Sequence, residues 1–370
     1  MINVFEPFIS YKDIFNVYLN LKRKNISGSS PIIKEFEENI AKKFDRKYAV
    51  SLSNGSVALD LGLQLLKLSN DDEVILPSHT IISCLSAVVR SGAKPIFCDV
   101  DPHTWNMTLE NIKKVRTKNT KAVLMVHTFG LAAEAQSISN YCKEEDIILI
   151  EDAAEAHGQY ENGVKCGSFG QLSTFSFYAN KHITTGEGGC LVTDSEQIYM
   201  EALQMRNLDF NNKNRFKTDN LYWNYRMSGL QAALGMSQIN KLEKIIKMKI
   251  LQGNIYQELL SNHEEIIKLP LKEYNKTINH YWVFGVVLKI NEIRDTVIGK
   301  LYQQGIETRP FFWPLHLQPS LPKEYKNQNS DLSVSENIGF NGLYLPMGSH
   351  INKKNQKEII NNLVSIIKNI

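Results

Sequence analysis

Lys181 lies in FSFYANKHITTGEGG, residues 175–189, between an aromatic, strand-like stretch and a run of threonines and glycines. A lysine drawn partly out of water loses affinity for its proton and becomes a better amine nucleophile, which Schiff-base chemistry requires. Ser176, five residues earlier, offers a hydroxyl to an anion, and TTGEGG gives the backbone freedom to pass close to a ligand. Asp152, 29 positions before the lysine (181 minus 152), ends the almost wholly apolar run IILIED. A carboxylate there must be solvated, paired or set against a cation. Two readings of it stand side by side: a helix-capping aspartate, and a partner for a protonated ring nitrogen.

Two further clusters fall where strand-like sequence turns into helix-like sequence. In SLSNGSVALDL, Gly55 and Ser56 stand at a helix start, which presents free N–H groups and the positive end of the dipole to an anion such as a phosphate. The pair serves equally as an ordinary tight turn and N-cap. In YWNYRMSGLQAALG, Asn224 and Arg226 precede another helix. They read as solvated helix-start residues or, for an arginine flanked by aromatics, as an anion reader. Other motif chemistries fail their own context tests. There is no GxxxxGK[ST], no GxGxxG after an early strand, no HExxH spacing and no Cys/His cluster. Phosphate-loop, dinucleotide and metal chemistries are therefore not expected.

The elements that must gather these residues are legible in the apolar pattern. SSPIIKEFEENIAKKFD predicts a helix with Ser30 as N-cap, Pro31 in the first turn, and Ile32, Ile33, Phe36, Ile40 and Phe44 at helical spacing. From Tyr48 onward the strand-like runs YAVSLSN, EVILPS, KPIFCDVD, KAVLMVHTFG and IILIED alternate with helical segments. That alternation is the signature of an α/β fold with a mostly parallel sheet covered on both faces. Ligands bind such sheets beyond the carboxyl ends of the strands, where these residues fall. A long helix over LGMSQINKLEKIIKMK, Leu234–Lys249, carries the chain into a smaller unit. That unit has a strand in HYWVFGVVLKI, helices in IRDTVIGKLYQQGI and NQKEIINNLVSIIKNI, and an exposed loop in KEYKNQNSDLS. Two domains are expected, 1–245 and 246–370, and 370 residues with 43% apolar content suffice for two cores.

A formal net charge of +3, with no Lys/Arg block interleaved with aromatics, argues against a nucleic-acid partner. The five cysteines are odd in number and widely spaced, which fits reduced thiols. No basic and apolar leader and no apolar run near the roughly 18 residues of a membrane span are present, so a cytoplasmic protein without a membrane partner is expected.

In order along the chain, EDAAEAHG, GSFGQLSTFSFYANKHITTGEGG and NYRMSGLQAALG resemble the sugar aminotransferases of the DegT/DnrJ/EryC1/StrS family. The resemblance continues from ISGSSP and SNGSVALDL through DPHTWNM to IETRPFFWPLH. It implies an aspartate-aminotransferase-like, fold-type I large domain, its mostly parallel sheet sandwiched by helices, with a smaller C-terminal α/β domain and pyridoxal 5'-phosphate as cofactor. By that likeness Lys181 is the Schiff-base lysine and proton shuttle, Asp152 pairs with the pyridine nitrogen, and Glu155 lies near the ring hydroxyl. Gly55, Ser56 and Ser176 hold the phosphate. Asn224 reaches the phosphate of the neighbouring subunit, in a homodimer whose active site lies at the interface. Arg226, Arg309 and His316 match positions near a sugar nucleotide.

Within the family, NKHITTGEGG, TWN and ETRPFFWPLH are most similar to the GDP-perosamine synthases. That branch moves an amino group, by the likeness from glutamate, to C4 of a nucleotide-linked 4-keto-6-deoxy sugar for surface polysaccharide such as O-antigen. Two departures stand out. Where many members place an aromatic over the cofactor ring, PSHTIISC offers Ile81. Dehydratases of the same fold carry histidine in the lysine slot, whereas here lysine keeps that slot and His182 takes the next, which favours amination. The rivals are such a dehydratase and a non-catalytic nucleotide-sugar or cofactor-binding protein.

Overall fold

A computed structural model describes residues 1–210, 216–326 and 330–370. The alternating apolar runs form β1 (Tyr48–Leu52), β2 (Glu73–Pro77), β3 (Lys94–Cys98), β4 (Thr120–Val126) and β5 (Ile148–Asp152). A small hairpin, β6 (Tyr160–Glu161) with β7 (Val164–Lys165), precedes β8 (Leu172–Ser176) and β9 (Gly189–Thr193). Seven of these strands make one sheet in the order β1-β9-β8-β5-β4-β2-β3. Strand β9 runs antiparallel to both its neighbours, and the other pairings are parallel.

Helices cover both faces, as strands this apolar require. On one face Pro31–Lys43 buries the five residues its periodicity marks, Ile32, Ile33, Phe36, Ile40 and the adjoining Phe44. On the other, Gly55–Gln64 is buried almost all round, from Ala58 to Leu63.

The single helix expected over Leu234–Lys249 is two, Gly229–Ile239 and Leu242–Leu260. The apolar spacing runs on across the break. At the break the Asn240 side chain donates to the Met236 carbonyl and competes with the backbone there. The second helix starts in the large core, with Leu242 and Ile246, and ends in the small one, with Tyr256 and Leu260.

The small unit carries β10 (Ile267–Lys268), the hairpin β11 (Glu273–Tyr274) and β12 (Thr277–Ile278), then β13 (Phe284–Leu288), β14 (Arg309–Pro310) and β15 (Gly342–Leu345). Its four-stranded sheet, β10-β13-β15-β14, is antiparallel and packs under Val297, Leu301, Ile359 and Leu363. The chain does not stay within this unit. Leu315, Leu321 and Leu332 return to the core of the large sheet, so the expected loop KEYKNQNSDLS is anchored at Leu332; its residues 327–329 lie outside the described ones.

An aromatic seam joins the two units: Phe129 and Trp105 meet Phe311 with ring centroids 4.5 Å and 5.4 Å apart. A strap closes the far side. Ile2 bridges Ile306, and Val4 accepts the N–H of Met347.

Candidate active site

The carboxyl ends of β1, β2, β5 and β8 open into a cavity of about 540 Å³, closed from the small unit by Trp282, Phe312 and Tyr344. Gly55, Ser56, Asp152, Glu155, Ser176 and Lys181 all line it.

At the end of β1, the Asn54 side chain caps the next helix by accepting the Val57 N–H at 2.9 Å. Gly55 and Ser56 line the cavity in the first turn of that helix, where backbone N–H groups have no intrahelical acceptor. The Ser56 and Ser83 hydroxyls lie 2.6 Å apart beside them, and Ser176 Oγ accepts the Tyr178 N–H at 3.3 Å. Three hydroxyls and a helix N-terminus offer a cradle for a phosphate.

Side chains alternate at the end of β5, so Glu151 and Asp152 point to opposite faces. Glu151 points away from the cavity into a fully buried hub. It accepts from His127 Nε2 (2.9 Å), from Ser173 Oγ (2.9 Å) and from the N–H groups of Gly167, Phe169 and Gly170. Burial pushes its carboxyl up, but His127 and these donors together hold it below its ordinary value. The other ring nitrogen of His127, Nδ1, lies 3.0 Å from the Ala133 nitrogen, so both ring nitrogens are engaged. Cys166 completes a His/Glu/Cys trio whose ligand atoms lie within 4.8 Å of one another. The glutamate and histidine atoms of that trio are already engaged by protein donors, which makes it a structural hub.

Asp152 faces the cavity. Its oxygens accept the Ala154 N–H at 3.0 Å and the Cys84 thiol at 3.5 Å. Burial raises its carboxyl above the ordinary value despite those donors and the charge of Lys181. A buried carboxylate with so few donors is suited to a cationic partner.

One turn on, Glu155 accepts the Phe129 N–H at 2.9 Å, and Lys181 Nζ stands 3.4 Å from its other oxygen. Burial pushes the Glu155 carboxyl up to about 7 against the pull of Lys181. Burial likewise lowers Lys181, with Glu155 and Asp152 opposing it. The neutral amine is thus brought nearer to physiological pH, as a nucleophile and proton carrier requires.

The remaining expected residues lie elsewhere. Asn224 is exposed, and Arg226 bonds to Asn207 and lines a separate surface cavity with Gly28 and Arg206. Arg309 stands beside the lining residue Tyr344 in the β14–β15 register, half-exposed and ion-paired to Glu307. His316 lies 2.6 Å from the Ser78 hydroxyl just past β2, its other nitrogen 3.0 Å from Glu336. Ile81 lines the cavity with no aromatic in its place. The residue-level reading misses Thr80, Ser83, Tyr178, Trp282, Phe312 and Tyr344. Ser83 follows Ile81 by two in the segment already singled out; Trp282 lies in a strand-like run, Phe312 in ETRPFFWPLH, and Tyr344 carries no sequence signal.

The sequence profile of the DegT/DnrJ/EryC1/StrS aminotransferase family matches residues 11–364. The chain belongs to that family. A GDP-perosamine synthase of Vibrio cholerae is 35% identical over 368 residues, 98% of each chain. Among solved structures, the aminotransferase TlmJ of Streptoalloteichus hindustanus superposes with a TM-score of 0.92 at 25% identity, over 100% of this chain and 99% of its own. A GDP-4-keto-6-deoxymannose-3-dehydratase with a trapped PLP-glutamate geminal diamine follows at 0.90 and 25%, over 98% and 100%. The architecture is that of the fold-type I aminotransferases, as the family motifs imply. His182, next to Lys181 in the chain, is buried and does not line the cavity.

Proposed function

We propose that this protein is a pyridoxal phosphate-dependent aminotransferase that transfers an amino group from glutamate to C4 of a nucleotide-linked 4-keto-6-deoxy sugar. One observation carries the reading: a buried lysine of lowered proton affinity shares a cavity with a buried, donor-poor aspartate and an anion cradle. Those residues fit the cofactor at three separate points. When bound, pyridoxal phosphate supplies an electron sink and a carrier for the amino group.

The chain's own residues do the rest. Gly55 and Ser56, through their N–H groups and with the Ser56 and Ser176 hydroxyls, would hold the phosphate. Asp152 would keep the ring nitrogen protonated, and Glu155 would stand near the ring hydroxyl. Lys181 takes up and releases the transferred proton at Nζ. The burial that lowers its proton affinity and the carboxylates that oppose it leave that nitrogen able to do both. Arg309 and His316, neither of which lines the cavity, are assigned to the sugar nucleotide.

A homodimer completes the reading. Tyr11, Ile14, Phe15, Tyr18 and Leu21 form an exposed apolar stripe at helical spacing on the helix Tyr11–Lys22. Leu221 and Trp223, just before Asn224, are also exposed. Apolar stripes of this kind mark interaction surfaces. Asn224 and Arg226, outside their own cavity, are assigned to the partner subunit's site. Five free, buried cysteines fit a cytoplasmic setting, and among the described residues no helix is long and apolar enough to cross a membrane.

The test is glutamate-dependent amination of GDP-, dTDP- and UDP-linked 4-keto sugars, with borohydride trapping of the cofactor on the Lys181 peptide. Lys181→Ala is expected to lose both trapping and transfer. Unchanged amination in that variant sinks the proposal, and ammonia release with a deoxygenated product would move the chain to the dehydratases.

A further inference from the structure

Trp282 has no part in the roles above. It enters the cavity from the segment leading into β13, and its ring centroid lies 3.7 Å from Lys181 Nζ. Several independent devices aim it there. Its indole N–H donates to the Asn180 carbonyl at 3.2 Å, and its backbone N–H to the Phe129 carbonyl at 3.1 Å. Its own carbonyl accepts Nζ of the buried Lys249 at 2.7 Å. Burial, and next the charge of Lys181, bring Lys249 down to about 7, so an expensive buried amine is spent on one carbonyl.

The backbone is shaped to the same end. Tyr281 adopts a φ of +49°, a costly conformation for an aromatic residue. A Cβ on Gly130 would stand 2.5 Å from the Trp282 nitrogen and 2.7 Å from that of Tyr281, so only glycine lets the loop after β4 receive this segment.

We propose that the indole face of Trp282 is the seat on which Lys181 Nζ rests whenever that nitrogen is not covalently engaged, making Trp282 a positioning residue for the proton-carrying lysine. It rests on Lys181 being the cofactor lysine. The physical case is one of selectivity. An aromatic face attracts an ammonium through its quadrupole and attracts a neutral amine far less. It has no lone pair in a fixed direction, so the amine turns on it without breaking a strong hydrogen bond; the contact to Glu155, at 3.4 Å, is long. The seat therefore favours proton uptake and lets the nitrogen go as the proton leaves. The other groups facing the amine are Glu155 and Asp152 at the end of β5, Cys84 on the helix Ile82–Arg90, His157, and Lys249 on the helix Leu242–Leu260. All of them stay unchanged in the test.

The test uses cofactor-free protein. The rate at which acetic anhydride acylates Lys181 is followed against pH by peptide mass spectrometry in the parent, Trp282→Leu and Trp282→Tyr. The midpoint is expected to fall by about half to one pH unit in the leucine variant and by less than half of that in the tyrosine variant. A parent-like midpoint in Trp282→Leu overturns the seat; so do equal falls in both, which would report lost packing. If Trp282→Leu does not fold by circular dichroism, Trp282→Met, which also lacks an aromatic face, is read in its place by the same two criteria. Borohydride trapping on the parent judges the cofactor lysine separately, so the two failures are distinguishable.

Discussion

Glu151, Asp152 and Glu155 lie within five positions of one another, and what each can reach sets its charge. Glu151 has five donors and is held ionised, whereas Glu155 is pushed up to about 7, mainly by burial. Between its ordinary 4.5 and about 7, the folded protein keeps a proton at Glu155 that the unfolded chain has released. The stability of the cofactor-free protein should therefore fall as pH rises through that window. Glu155→Gln, neutral throughout, should lose that slope. Urea unfolding across the window is expected to show the parent losing on the order of 3 kcal/mol relative to the variant. Asp152→Asn should still bind the cofactor through the cradle and Lys181 but slow single-turnover amination by about 10²- to 10³-fold; an unchanged rate would remove Asp152 from its role. Asp152 was legible because it interrupts an apolar run at a strand end, and Lys181 because it follows the apolar TFSFY among threonines and glycines. The donor count that separates Glu151 from Asp152 was not, since Gly167, Phe169, Gly170 and Ser173 arrive from the segment around β8.

The turn from β1 into the helix Gly55–Gln64 depends on a strand far along the chain. Gly189, the first residue of β9, pairs with both Leu52 and Ser176 and so ties together the two strand ends that carry the cradle. A Cβ there would stand 2.5 Å from the Asn54 carbonyl and 2.7 Å from the Gly55 nitrogen. Gly189→Ala should cost about 1–3 kcal/mol in thermal or urea unfolding. Cofactor affinity, read by calorimetry, should weaken as well. A variant that loses stability but binds normally would show that the turn tolerates the shift. Strands and helices were readable because periods of two and near 3.6 report burial directly. The break at Asn240 was not, because the apolar spacing continues through it and only a local side-chain bond marks the end.

Among the described residues, a large and a small unit, a cavity lined by both and an exposed apolar stripe stand out at this scale. The large sheet was legible as alternation, but the contribution of Trp282, Phe312 and Tyr344 to the site was not. Trp282 reads as part of a strand-like run, Phe312 lies in ETRPFFWPLH and Tyr344 carries no signal, and only tertiary packing turns the three toward the cavity. If the stripe is the subunit interface, Phe15→Asp, at a residue 60% exposed, should leave the fold intact and yield monomers in sedimentation, with activity falling alongside. A parent that sediments as a monomer would sink that assignment. The strap at Ile2 and Val4 bears on how such a molecule is made. Its partners, Ile306 and Met347, emerge from the ribosome long after it, so residues 2–4 cannot dock while the large sheet is being laid down. The two units are joined on that side only once synthesis is nearly complete, and a chain stalled before Ile306 would lack both the strap's partners and Leu315, Leu321 and Leu332 of the large core.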